Sequence, residues 1–508
     1  STLSMIRKIR TAPTSKALIF VIVTTVTSSC SLPSRHAKVF NSEQKIGSAL
    51  IDSIAPDTEK FTSERNVSRS LATLIKSKDK ELSQKYLQWV GRKEIDPLSF
   101  NHVVRSSAVI RTNWSQEWHQ KEGSGTPLIL LKKNRTDQFI NEIGETLPVT
   151  AVVKSTGKNP KILLYDLLDP KNEQVKVPEI ARDYTAPINY LTRRSKLIPK
   201  VLAIINANRY MNRIGLRRMN PYDPNKIPVI LVHGFKANPR AWTNLINQLQ
   251  ADPEIRNHYQ FWTFSYPTGI PLHYSAMRLR KELQAMQKKY DPTGMNPNLQ
   301  KIVLVGHSMG GILSRLMVSK NNKELPPWLP IPNNDSRSPR DSGDLATEMF
   351  FFNPQKFIGR VIFIATPHRG TKIASLKVSR MVNSIIRIPI EIQNSLLSGL
   401  RLNPDIPFEE ATALMKMKSI DNVHPNSYLI RSMQAEPISS TVPFHSIIGT
   451  GKFSGDKPLN ERTDLIVSYQ SAHLKDAQSE LTVPAWHNLH KYDETITEVG
   501  EILKKHNK

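Results

Sequence analysis

The chain has 508 residues, 39% of them hydrophobic, with 70 Lys and Arg against 44 Asp and Glu for a formal net charge of +26. It exceeds one typical domain and can bury a large core. A single cysteine excludes a disulfide framework, and the lack of any recognition motif sets nucleic acid aside as a partner.

Residues 1–29 have the layout of a signal peptide. A basic segment, Ile6 to Arg10 with Lys16, precedes an apolar core from Ala17 to Val26 that is too short to span a bilayer comfortably. Met5 is the expected initiator. Thr27, Ser28 and Ser29 then lead to Cys30. This is similar to a bacterial lipoprotein box, which implies cleavage before Cys30 and lipidation of its thiol. Ser31 stands where an Asp commonly retains lipoproteins in the inner membrane, so the expected location is the cell envelope, leaning to the outer membrane. In that setting the basic charge is expected to meet anionic lipid headgroups.

Residues 30–41 are expected to form a polar tether. From 42 to 122 the pattern reads as helical, with Ile46, Ala49, Leu50, Ile54, Leu71, Leu74, Ile75, Leu82 and Tyr86 at helical spacing. Gly123 to Pro127 signals a linker. The stretch 126–185 reads as a small β-rich segment, with strands at Leu147–Val153 and Ile162–Leu168. Tyr190–Arg218 is expected to be helical and basic, leading into a domain over 220–508. Within that domain five prolines make Leu325–Gly343 a loop. The long, mostly helical stretch 373–433 reads as an insertion that caps a site.

The most informative stretch is Lys301 to Gly311. A β-run ends in Gly306-His-Ser308-Met-Gly310, and a helix begins near Gly310, the context a nucleophile elbow requires. The turn lifts the Ser308 hydroxyl clear of the sheet, so Ser308 is the expected nucleophile. Upstream, the β-run Ile227 to Val232 ends in His233-Gly-Phe235. Gly234 lets that loop approach the substrate, which makes the Phe235 N–H one oxyanion donor and the Met309 N–H the other. His233 is expected to brace the loop. Triad order then asks for an acid and a histidine downstream. Asp464 follows the β-run Phe444–Gly449, with Asp456 and Asp476 as alternatives. His487 lies on the loop before a helix at Thr495–Leu503, with His490 as the alternative.

These motifs, with Tyr266 to Gly269, Phe363 to Gly370 and Thr463 to Leu474, resemble the α/β-hydrolases of the bacterial lipase and esterase kind, close to the GPI inositol-deacylase-like serine esterases. The resemblance covers roughly 220–505. It implies an α/β-hydrolase fold: a mostly parallel central sheet flanked by helices, with a helical cap and the N-terminal extension added. It also implies Ser308 as nucleophile, Asp464 as acid, His487 as base, and Phe235 and Met309 as oxyanion donors. One departure is Leu465, because the family acid is commonly followed by Gly. His368, after another β-run, is structural in the family pattern.

Serine at the elbow argues for acyl transfer through an acyl-enzyme. No H-E-x-x-H, C-x-x-C, P-loop or strand-linked G-x-G-x-x-G occurs, so no metal or cofactor is expected. The expected function is a membrane-tethered serine hydrolase of acyl esters or lipids. An acyltransferase with the same triad, or a catalytically silent envelope scaffold, is the alternative.

Overall fold

The computed structural model describes residues 35–54, 60–134, 136–156, 159–174, 179–200, 202–205, 207–321, 345–372, 394, 419–453 and 455–508. The signal peptide, Cys30, the proline-rich 325–343 and most of the expected cap (373–418, save 394) lie outside these residues.

The first region packs helices α1 (Arg35–Ile54), α2 (Lys60–Ser77) and α3 (Lys80–Tyr86) on a five-stranded sheet. Its strands are β1 (Leu87–Val90), β2 (His102–Arg105), β3 (Thr126–Lys132), β4 (Glu145–Thr156) and β5 (Asn159–Asp166), in the order β1-β5-β4-β3-β2. Ile46, Leu50, Leu71 and Leu74 bury their helical stripe against Leu128, Leu130, Val149 and Leu164 of the sheet. Three expectations are corrected here. The tether ends early, because α1 already begins at Arg35. The helical stretch stops at Tyr86, and the next four residues pair in parallel with Ile162–Tyr165. Strands β1 and β2 therefore join the β-rich segment in one sheet, and the expected boundary near Gly123 divides a single unit.

The larger sheet has seven strands. They are β6 (Gly215–Arg218), β7 (Ile227–Val232), β8 (Tyr259–Ser265), β9 (Ile302–His307), β10 (Ile358–Ile364), β11 (Phe444–Gly449) and β12 (Ser479–Val483), ordered β12-β11-β10-β9-β7-β8-β6. All neighbours pair in parallel except β6 with β8. Strands covered on both faces are continuous apolar runs, and β7 is one: Ile230 and Val232 face one core while Ile227, Val229 and Leu231 face the other. Helices α6 (Leu272–Tyr290) and α7 (Met309–Val318) cover the first face. Helices α5 (Thr243–Ala251) and α8 (Asp493–Asn507) cover the second. This is the α/β-hydrolase arrangement.

Tyr190–Arg218 is not one helix. Helix α4 (Thr185–Arg194) ends at Ser195, and Gly215–Arg218 forms edge strand β6 against Trp262–Ser265. A four-residue edge strand carrying two arginines has little of the apolar alternation that marks strands in sequence. The large sheet thus begins before residue 220.

Candidate active site

Strand β7 lies between β8 and β9, so the connections leaving β7 and β9 diverge at the carboxyl edge of the sheet, where open α/β sheets bind ligands. The loop His233–Phe235 leaves the first strand and Ser308 the second. Ser308 caps α7 with φ 55 and ψ −121, a conformation side chains rarely adopt. The elbow is held by the Ser308 N–H donating to the Ile364 carbonyl at 2.8 Å and the Gly311 N–H donating back to Ser308 at 2.9 Å.

The glycines around it are dictated by close approach. A Cβ on Gly310 would lie 2.1 Å from the Val232 carbonyl oxygen, and one on Gly311 would lie 1.8 Å from Thr366 Oγ1. On Gly234, a Cβ would sit 3.0 Å from the Ser308 Cβ, so the loop carrying Phe235 rests directly on the elbow. Neither the Phe235 nor the Met309 N–H donates a hydrogen bond among the described residues, as expected for Met309 in the first turn of a helix.

Two distant loops complete the constellation. His487 Nε2 is 2.8 Å from Ser308 Oγ, and its Nδ1 is 2.7 Å from Asp464 Oδ2. The buried Asp464 is fixed by its other oxygen, which accepts the Ile466 and Val467 N–H groups at 2.9 and 2.7 Å. Gly449, at the end of β11, leaves room for it: a Cβ there would come within 2.7 Å of Asp464 Cβ. Leu465 takes φ 77, the conformation that a Gly after the acid adopts freely. Asp456 is exposed on the preceding loop and Asp476 is exposed before β12; neither bonds to His487.

His490 is buried between Trp242 and His307, with ring centroids 5.4 and 4.4 Å away, and neither ring nitrogen has a partner. Burial, then Lys491 and His487, push its pKa down to about 3. His307 carries no signal in the sequence beyond its place between Gly306 and Ser308. Its Nε2–H donates to the His487 carbonyl at 2.8 Å, steadying that loop from the motif itself. Burial and the neighbouring imidazoles hold His307 neutral, well below the usual histidine range. The His487 ring thus lies beside the neutral ring of His307, 5.1 Å away between centroids, and its Nδ1 bonds the Asp464 carboxyl.

The remaining motif residues interlock around this centre. His233 stacks on Tyr266 at 4.5 Å, and the Tyr266 hydroxyl donates to the His233 carbonyl at 2.7 Å. Burial lowers the His233 pKa to about 4. Buried His368 accepts from Arg315 at 3.3 Å, edge-on to Phe363, away from the Ser308 contacts. Ser471 ties the acid loop to the β10 loop by donating to the Gly370 carbonyl at 2.6 Å.

A family model described as a PGAP1-like alpha/beta domain matches residues 223–325. Lipase 2 of Staphylococcus aureus is 25% identical over 229 residues, which is 39% of this chain and 31% of that protein. This chain thus matches about a third of the length of its curated relatives. Among solved structures, a mature Bacillus licheniformis lipase is 16% identical, with 55% of this chain and 93% of that one covered at a TM-score of 0.33. Lipase 1 from Pelosinus fermentans is 13% identical, with 55% and 98% covered at a TM-score of 0.34.

Proposed function

We propose that this α/β-hydrolase-fold, lipase-like chain is a serine esterase acting through Ser308, His487 and Asp464. The observation that carries the reading is the imidazole of His487 bridging Ser308 Oγ at 2.8 Å and Asp464 Oδ2 at 2.7 Å. Ser308 Oγ attacks the ester carbonyl carbon as its proton passes to His487 Nε2. The negative charge then on the former carbonyl oxygen is met by the N–H groups of Phe235 and Met309. The intermediate collapses, the C–O bond to the leaving alcohol breaks, and His487 returns the proton to that oxygen. Ser308 is left acylated. Water repeats the sequence: His487 takes its proton, the hydroxide oxygen adds to the acyl carbon, and Ser308 leaves reprotonated with release of a carboxylic acid. Asp464 stays ionised throughout and fixes the Nδ1–H tautomer. No step calls on a cofactor.

The proposed substrate is an acyl ester borne by lipid, with the enzyme tethered to an envelope membrane through lipidated Cys30. Support comes from the leader pattern, the +26 charge and the rim of the site. There Phe453, 86% exposed, lies 5.8 Å from Trp486, the neighbour of His487, and Leu465 is 66% exposed. Exposed apolar groups beside basic ones suit a lipid surface.

The test is a screen of the purified protein from Ser31 against p-nitrophenyl esters of graded chain length alongside phospholipid vesicles. Ester turnover is expected, faster on vesicles for the lipidated form. No turnover of any ester would overturn the reading. Mass spectrometry of the native N-terminus tests the tether, and an unmodified terminus at a residue other than Cys30 would refute it.

A further inference from the structure

A cavity of about 520 Å³ lies between the first region and the hydrolase sheet, and none of Ser308, Asp464, His487, Phe235 or Met309 lines it. That volume is in the range of small-molecule sites. Its walls are of two kinds. Ile140, Ile143, Leu197 and Ile198 supply aliphatic surface, and Lys196, Arg213, Arg217, Arg218 and Arg240 supply positive charge against two carboxylates, Asp137 and Glu142.

The charges do not cancel within the cavity. Asp137 is taken by Arg218 at 3.0 Å and Lys289 at 2.7 Å, and a further carboxylate, Glu145, holds Arg218 at 2.6 Å. Glu142 accepts the Lys196 backbone N–H at 2.8 Å. Arg213, Arg217 and Arg240 have no ion pair among the described residues; their hydrogen bonds go to the backbone carbonyls of Lys196, Leu216 and Thr192.

Two of these guanidiniums are built into place. Arg240 lies over the Trp114 ring at 4.1 Å, and its Nε is buried without a partner. Arg217 folds back over Gly215, where a Cβ would meet its Nη1 at 2.2 Å. Burial lowers the pKa of both; for Arg217 it outweighs the opposing charges of Glu282, Glu142 and Asp137, none of which forms an ion pair with it, and for Arg240 no charge opposes it.

We propose that this cavity is a second binding site, distinct from the Ser308 centre, for an anionic amphiphile whose carboxylate or phosphate head is met by Arg213, Arg217 and Arg240 and whose chain lies on the aliphatic wall. Planar guanidiniums not engaged in an ion pair match such oxygens in pairs. The head could be that of a free fatty acid or of an anionic phospholipid, and the two differ in the probe that binds. The site adjoins the oxyanion loop: Asn238, three residues beyond Phe235, accepts the Arg240 backbone N–H at 3.2 Å and donates to the Ile198 carbonyl at 3.2 Å.

Calorimetry on the full soluble chain from Ser31 tests it, with decanoate, decyl phosphate, decanol and inorganic phosphate as probes. Decanoate binding assigns a fatty-acid site, decyl phosphate binding a phospholipid site, and decanol should fail. The double variant Arg217→Gln with Arg240→Gln should weaken the bound anion about tenfold or more. Gly215→Ala should weaken it with all charges kept, because its clash is with the movable end of Arg217. Ser308→Ala should bind as the wild type does, which separates this site from the proposed esterase centre. Melting temperatures of the variants confirm folding. Binding unchanged in both cavity variants, binding lost in Ser308→Ala, or no binding of either anion would overturn the proposal.

Discussion

At Ser308 the chain holds a serine at positive φ, with Oγ 2.8 Å from an imidazole, and the choice between two nearby histidines rests on which one that is. His487→Ala is expected to lower ester turnover by several orders of magnitude, about as far as Ser308→Ala, because members of such a unit fail together. Asp464→Asn should fall short of that, since the acid orients and stabilises the imidazolium. His490 touches the centre only through ring contacts with His307 and Trp242, so His490→Ala should leave far more activity; a larger loss than in His487→Ala would reverse the assignment. Leu465 makes a second test at this scale. Its φ of 77 strains a side chain that is 66% exposed and has little packing to lose. Leu465→Gly should therefore raise stability by about 1 kcal/mol in urea denaturation, with turnover preserved. A loss of stability would show that the leucine is packed rather than strained.

Among the elements, those that frame the site were legible in sequence and those that frame the domains were not. Ile227–Val232 and Ile302–His307 are central parallel strands buried on both faces, so each appears as an unbroken apolar run followed by a glycine-bearing turn. Asp464 and His487, which contact each other and, through His487, Ser308, could be picked out because each lies in a loop beyond a strand of this sheet. Gly215–Arg218 and Leu87–Val90 are short edge strands, and what makes them strands is a distant partner: Trp262–Ser265 for one and Ile162–Tyr165 for the other. Leu87 even continues the helical spacing of Leu82 and Tyr86, so local pattern carried the helix past its end. The tie between the two sheets is equally non-local. Arg92, just beyond β1, donates to Asp166 at 2.6 Å and Asp223 at 3.0 Å, all three buried. Arg92→Met would leave buried Asp166 without its cation and buried Asp223 with only Lys226 at 4.0 Å, and is expected to cost about 3–5 kcal/mol in chemical denaturation. A change below 1 kcal/mol would mean that the carboxylates find other partners or protonate freely.

Over the whole molecule, burial keeps a set of imidazoles neutral, and this gives stability a definite pH dependence. The pKa values of His233, His273 and His490 fall from 6.5 to about 4, 3 and 3, with burial the leading cause in each. Between about 6.5 and those lowered values the unfolded chain binds more protons than the folded one, so these groups make stability fall as the pH drops below 6.5. The melting temperature should decline steadily from pH 7 to pH 4.5. His490→Phe, which keeps a ring between Trp242 and His307, should flatten that decline by the share of one titrating group. A decline as steep in His490→Phe as in the wild type would show that His490 is not held neutral.

The most direct measurement is reaction of the protein with a fluorophosphonate, followed by peptide mass spectrometry. One adduct is expected, on Ser308, formed in parallel with loss of ester hydrolysis and strongly slowed in His487→Ala. Ester hydrolysis that survives in Ser308→Ala, or an adduct on another serine that accounts for the activity, would contradict it.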